Sequence, residues 1–259
     1  MSKRAIWKGI IKFGKVSIPV KLYAAVEEKT IHFRLLHRKD KTPVKQEMIH
    51  PETGEVVPAE AIRHAYATED GKMVILSDDE LKILEPEASR NIEVINFLKD
   101  AAIDTQWYER PYFLGPDEDR ESYLAMIEAL EGRTGALVGW IMRNKEYFGV
   151  LRLLGRYPVL ITLRHTEEVV QLADLEIPAG REINEKEFAM AEQLVAAMTD
   201  NFDPSQYRDE YRDRVMKLIT AKASGKIIRL KKAASKKTTR DLKKALQGSL
   251  QAAGKRHHG

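Results

Sequence analysis

Basic side chains are the groups in this chain whose number and spacing point to a chemistry. Between Ile31 and Val57 they come thickly: Arg34, Arg38, Lys39, Lys41 and Lys45, with His32, His37 and His50 among them. Arg63 follows shortly after. Cations at such intervals on an extended segment can meet the phosphates of a polyanion; the same pattern also fits a solvated surface hairpin. A second concentration closes the chain. Residues 226–259 hold 11 Lys or Arg, among them Lys231, Lys232, Lys236, Lys237, Lys243 and Lys244, against one acid, Asp241. That segment carries about +10, so with +4 overall the first 225 residues carry about −6, from 32 basic and 38 acidic side chains. The first 50 residues run the other way, with 12 basic against four acidic. An acidic body with basic ends can hold a polyanion without adhering to everything else.

Catalytic arrangements are missing. Gly225-Lys226 lacks the upstream glycine and the following Ser or Thr of a phosphate-binding loop, and Gly132, Gly135 and Gly139 have the wrong spacing for a dinucleotide fingerprint. No H-E-x-x-H occurs, and His32 and His37 have no evident third ligand or carboxylate partner, so no metal site is expected. Asp78-Asp79 and Glu167-Glu168 read as helix-start or surface charges, not as acid–base pairs. K-x-D-G, which carries the lysine nucleophile of nucleotidyl-transferring ligases, is absent. The chain reads as a binder with no cofactor, and not as an enzyme.

With no cysteine among its 259 residues, it needs no disulfide scaffold and suits a reducing compartment. MSKRAIWKGI has no apolar run of the signal-peptide kind, and no stretch approaches the roughly 20 apolar residues of a membrane span. A cytoplasmic, nucleoid-associated protein without membrane contact is expected.

The elements that would position these cations begin at Trp7–Ala25, WKGIIKFGKVSIPVKLYAA. Ile10, Ile11 and Phe13 lead to Gly14, which permits a bend or bulge; Val16, Ile18 and Val20 then alternate with polar residues. Pro19 cannot donate to a ladder, which predicts an edge strand or a bulge. The stretch reads as the opening strands of a β-barrel, or as one more amphipathic strand, with Lys8, Lys12, Lys15 and Lys21 in water. Ile31–Val57 reads as an extended ribbon with a turn at Pro51–Gly54. A strand at 72–76 precedes a short helix capped by Ser77 and Glu80. Asn91–Leu98 reads as a buried strand with Ile92, Val94, Asn96 and Leu98 on one face. Tyr123, Met126, Ile127 and Leu130 form the stripe of a helix over 121–131, with Gly132 as its C′ residue. Strands at 135–142, 147–154 and 157–163 form an antiparallel meander, with Arg143 and Lys145 in its first turn.

Two helices follow as an expected antiparallel pair. The first is capped by Asn184 and Glu187 and carries Phe188, Ala191, Val195 and Met198; the second starts at Asp203-Pro204 and carries Tyr207, Tyr211, Val215, Leu218 and Ile219. After the last apolar cluster, Ile227, Ile228 and Leu230, the Lys- and Ala-rich remainder cannot bury enough surface to fold alone. Leu242, Leu246 and Leu250 permit a transient helix there.

Taken together these segments resemble bacterial Ku. The resemblance rests on W-x-G-x-x-x-F-G-x-V-x-I-P-V-K-L-Y from Trp7 to Tyr23 and on F-R-L-L-H-R-K-D from Phe33 to Asp40. It rests also on Ile103-Asp104, on M-T-D-N-F-D-P-S-Q-Y-R-D-E-Y from Met198 to Tyr211, and on L-I-x-A-K from Leu218. It covers roughly residues 5–226; His165-Thr166 departs from the family's usual aromatic-small run before the acid. The resemblance implies an antiparallel Ku-type β-barrel with an inserted extended arm, assembled as a homodimeric ring. It implies a core over 1–180 with the arm at about 32–70, a helical pair over 181–225 and a flexible tail over 226–259. It implies threading onto ends of double-stranded DNA, end protection and bridging, and recruitment of an ATP-dependent DNA ligase (ligase D) for non-homologous end joining. The arm and tail cations named above become the expected DNA contacts, with Arg143 and Lys145 of the meander turn as secondary ones, and Ile227, Ile228 and Leu230 an expected ligase-docking surface. The cationic ends also fit a general nucleoid coat protein, which would bind closed circular and linear DNA alike.

Overall fold

Trp7–Phe13 (β1) and Val16–Ala24 (β2) form the first hairpin, paired from Trp7↔Leu22 to Phe13↔Val16. Gly14 turns it at φ +56°, a tight two-residue turn instead of a bulge. The computed structural model describes residues 4–99, 103–131, 134–171, 175–176, 180, 184–226 and 249. Five more strands join the hairpin: Asn91–Lys99 (β5), Tyr108–Pro116 (β6), Thr134–Met142 (β7), Lys145–Leu154 (β8) and Tyr157–Leu163 (β9). They close in the order β1-β2-β6-β9-β8-β7-β5.

The expected barrel is therefore present, with one difference: β1 pairs with β5 in parallel. Strand direction can alternate all the way round a closed ring only if the strand number is even. Seven strands force at least one parallel seam.

Pro19 is a second correction, for β2 has neighbours on both sides. The Pro19 carbonyl accepts from Asp117 N at 3.2 Å, so the backbone polar groups of Pro19 face β6. The β2–β6 ladder ends one residue away, at Val20↔Pro116. The missing N–H thus falls just past the end of the ladder, where the Pro19 carbonyl alone still bonds across, and no edge or bulge is needed.

β5 departs further from its expected alternation. Its register with β7 shifts between Val94 and Asn96, so Ile95 bulges. Ile92 is buried, but Ile95 and Phe97 are each 48% exposed and Asn96 is exposed too. The bulge resets the side-chain period, which a uniform reading of the strand could not show.

The core fills the barrel from all sides: Ile11, Val20, Leu22, Ile92, Leu114, Val138, Trp140, Leu151 and Leu160 are buried together. Helix α2 (Arg120–Leu130) adds Tyr123, Met126, Ile127 and Leu130, the four residues of its predicted stripe. Asp119 caps it by accepting from Ser122 N at 3.0 Å. Gly132 lies outside the described residues.

β7, β8 and β9 form the predicted antiparallel meander. The first turn is tighter than expected. Arg143 and Asn144 take φ +54° and +61°, as a type I′ hairpin requires, and Lys145 and Glu146 belong to β8.

Between β2 and β5 the chain leaves the barrel. His64–Ala67 (β3) and Met73–Leu76 (β4) form a separate two-stranded ribbon, followed by α1 (Asp78–Ile83). The capping box is as predicted: Glu80 N donates to Ser77 Oγ at 3.2 Å and Ser77 N to Glu80 Oε2 at 2.8 Å.

The chain divides into two units, Met1–Asp174 and Leu175–Gly259. In the second, α3 (Glu185–Met198) has the expected cap, Asn184 accepting from Lys186 N at 2.8 Å. The second helix, α4 (Glu210–Ala223), begins at Asp209, not at Asp203-Pro204, which opens only a 3-10 turn. Tyr207 therefore precedes the helix. The predicted stripes are not packed face to face: Phe188, Val195, Met198 and Tyr211 are more than half exposed.

Candidate nucleic-acid interface

The segment from Ile31 to Val57 forms two successive tight ribbons with no core of its own. Leu36 bridges Pro43 and Ile49 bridges Val56, both antiparallel. The first ribbon turns through Arg38, Lys39, Asp40 and Lys41, with Lys41 at φ +64°. Asp40 organises that turn. Its Oδ1 accepts from Thr42 N at 3.1 Å and Thr42 Oγ1 at 2.8 Å, and lies 2.8 Å from His37 Nδ1. The Thr42 backbone and hydroxyl, and then His37, hold the Asp40 carboxyl below the usual carboxylate range. The acid is thus occupied within the loop, while Arg38, Lys39 and Lys41 are exposed around it. Lys41 Nζ donates to the backbone carbonyl of Arg38 at 2.9 Å, across the same turn.

His37 therefore does have a carboxylate partner, contrary to the sequence reading. The two groups close a turn; among the described residues no group of three or more His, Asp or Glu side chains is placed to hold a metal ion.

Arg34 and Lys45 are exposed on the same ribbon. Arg63 is exposed beyond it, where Nη1 donates to the Glu60 and Ile62 carbonyls at 2.6 and 2.8 Å. The chain between β2 and β5 bears apolar side chains on its surface as well: Phe33, Leu35, Met48, Ile49, Tyr66 and Ile75 are each more than 60% exposed. The segment is thus both cationic and apolar on its surface.

Arg143 and Lys145 lie apart from the arm turn, at the β7–β8 turn, and both are exposed. Asn144 between them donates to Glu85 Oε2 at 2.6 Å and so ties that turn to the chain just after α1. Lys231, Lys232, Lys236, Lys237, Lys243, Lys244, Ile227, Ile228 and Leu230 lie outside the described residues, as does the expected Leu242–Leu250 stripe.

The sequence model described as "Ku70/Ku80 beta-barrel domain" matches residues 12–193, which take in most of the barrel, all of the chain between β2 and β5, and part of α3. This chain belongs to the Ku family. It is 38% identical over 254 residues to non-homologous end joining protein Ku 2 of Geotalea uraniireducens, covering 96% of this chain and 98% of that one. It is 34% identical to the Ku protein of Heliobacterium modesticaldum, over 97% and 92% of the two chains. With the Ku protein of Mycobacterium tuberculosis it shares 36% identity over 86% and 84%.

Within this Ku chain, the lysines of the first hairpin have a role that sequence reasoning missed. Lys8 and Lys21 sit directly opposite each other across β1 and β2, and both reach Asp117 just beyond β6. Lys8 is exposed as expected and Lys21 is half-buried, and both are engaged in a barrel tie. The hairpin register could have placed them side by side; nothing local to them pointed to Asp117. Lys15 remains exposed in the turn, and Lys12 is half-buried. No described helix is long and apolar enough to cross a membrane.

Proposed function

We propose that this chain binds ends of double-stranded DNA as a homodimeric ring, without reading sequence and without catalysis. In this reading it protects and bridges broken ends and recruits an ATP-dependent DNA ligase in non-homologous end joining. It acts in the cytoplasm, at the nucleoid. Its relatives carry the name non-homologous end joining protein Ku. The observation that carries the reading is the arm between β2 and β5, which presents Arg38, Lys39 and Lys41 on one turn and leaves its apolar side chains uncovered.

The two sets of side chains have different tasks. The cations, Arg34, Arg38, Lys39, Lys41, Lys45 and Arg63, meet phosphates, a contact that carries no base information. The apolar side chains meet the second copy, which supplies the burial that the arm lacks alone. Arg143 and Lys145 are secondary contacts. The six tail lysines form a third set, suited to non-specific contact because lysine is a mobile point charge and not a rigid fork. The core over 1–180 carries the arm at about 32–70; the helices over 181–225, with Ile227, Ile228 and Leu230, form the ligase-docking region ahead of the flexible 226–259 tail.

End preference does not come from charge, which attracts the whole duplex equally. It comes from topology, since a closed ring admits DNA only where the duplex stops. The test is affinity for a linear duplex against the same duplex closed into a circle. Much tighter binding to the linear form is expected. Equal affinity would leave only a general coat protein.

A further inference from the structure

One mouth of the barrel carries a concave site of about 270 Å³, lined by Trp7, Ala88, Ser89, Arg90, Ile141, Arg143 and Asn144. One of its lining side chains is the indole of Trp7. Trp7 packs against the core cluster and is only half-buried. The ring lies against Gly9: a Cβ at that position would come within 2.3 Å of the Trp7 ring and 3.1 Å of the Arg90 carbonyl. The missing side chain lets the indole lie against the backbone of β1.

Two cations stand at the rim. Arg90 is exposed, and its backbone is fixed because its carbonyl accepts from Ile10 N at 2.8 Å. Arg143 is exposed on the type I′ turn, which the Asn144–Glu85 bond holds in place. Ser89 Oγ accepts from Asn91 N at 3.1 Å, so its O–H proton remains available to a ligand. An indole, two arginines and a hydroxyl lining one concave site have the chemistry for one nucleotide unit. The base stacks on the ring and the phosphate meets the cations.

We propose that this site takes an unpaired nucleotide of a single-stranded extension at a DNA end. The idea rests on the end-binding reading above and deepens it. A base inside a duplex has both faces covered by its neighbours, so only an unpaired one can stack on Trp7. The site therefore distinguishes extended from blunt ends without reading sequence, because every base has a π-face.

The probe is a duplex with one end closed by a hairpin loop and the other either blunt or carrying six unpaired thymidines. The full chain is titrated against both. The extension should tighten binding about tenfold, within the range that stacking of one or two bases supplies. Trp7→Leu, which keeps apolar bulk over Gly9 but removes the π-face, should abolish that gain and leave blunt-end affinity unchanged. Arg90→Gln, a change in an exposed side chain, should reduce the gain without disturbing the fold.

Equal affinity of the unaltered protein for the two duplexes would overturn the proposal. So would variants that weaken blunt and extended ends by the same factor, which would mark a general phosphate contact. Failure of the clamp reading would show separately, as equal binding of circle and linear duplex. The blunt-against-extended comparison still decides the Trp7 site in that case.

Discussion

Lys21 Nζ lies 2.6 Å from Asp117 Oδ1, and Lys8 Nζ lies 2.9 Å from the other oxygen of the same carboxylate. Two like charges directly opposite on neighbouring strands repel. Here one acid, itself little exposed, stands against both and joins the first hairpin to the end of β6. Hydrogen bonds from Lys21 and then Lys8 hold the Asp117 carboxyl below the usual carboxylate range, and the bond to Asp117 raises the Lys21 ammonium above its own. The signs set a window. The depressed acid contributes stability above the ordinary value of about 4 and loses it as pH falls through the lower folded value. The raised lysine contributes below the ordinary value of about 10.4 and loses it as pH climbs through the higher one. Asp117→Asn should therefore lower the melting temperature at neutral pH, and the gap should close in acid. A gap that stays constant down to strongly acidic pH would show that the charges do not matter.

Tyr123 ties α2 to the barrel wall, its hydroxyl donating to the Leu114 carbonyl at 2.7 Å in a buried setting. Tyr123→Phe should cost about 0.5–1.5 kcal/mol in equilibrium denaturation. Burial, with a smaller contribution from Tyr23, pushes the Tyr123 phenol up. A raised acid favours the folded state fully below the ordinary tyrosine value and loses that advantage as pH climbs through the raised one. The unaltered protein should thus lose stability more steeply in alkali than the phenylalanine variant.

Gly149 makes room for two neighbours at once. A Cβ there would stand 2.6 Å from the Ile161 carbonyl and 2.7 Å from the Trp140 ring. The first is backbone in the adjoining strand; the second is a buried ring stacked on Tyr147 at 5.5 Å between centroids. Neither can withdraw cheaply. Gly149→Ala should destabilise by about 1–3 kcal/mol. Chemical denaturation measures it, and a neutral result would mean that the β8–β9 ladder yields more easily than its register implies.

Where a short periodic run decides the outcome, the sequence was readable. The α2 stripe, the Ser77–Glu80 box and the three meander strands depend on residues a few positions apart, and all are found. Features decided by distant partners were hidden. The parallel β1–β5 seam follows from strand number, and the Ile95 bulge from accommodation to β7. Thr162 is another case. It is buried, and its hydroxyl accepts from Arg110 N at 2.9 Å where the β6–β9 register breaks. Of the site, the arm cations were legible because charge density is local. The carboxylate of Asp40 beside His37 depends on how the turn closes, and the gathering of Trp7, Arg90 and Arg143 on how the barrel does.

The tail offers a separable contribution. Truncation after Leu230 removes all six tail lysines named above. Binding to a linear duplex should weaken, and its dependence on salt should flatten, because fewer counterions are released. Preference for linear over circular DNA should survive, since topology and not the tail selects ends. Loss of that preference would make the tail the end reader.

The Arg38–Lys41 turn should contribute in proportion to its charge. Arg38→Gln, Lys39→Gln and Lys41→Asn together remove three cations while leaving Asp40 and its bonds to Thr42 in place. Asparagine suits position 41 because it tolerates the positive φ found there. If each cation meets one phosphate, the slope of log affinity against log salt should shrink by about 0.9 for each one lost. The effect should be the same on duplexes of unrelated sequence, because phosphate contacts carry no base information. Titration of blunt duplexes at several salt concentrations measures both. An unchanged slope with unchanged affinity would remove this turn from the DNA-binding surface and shift the burden to Arg34, Lys45 and Arg63.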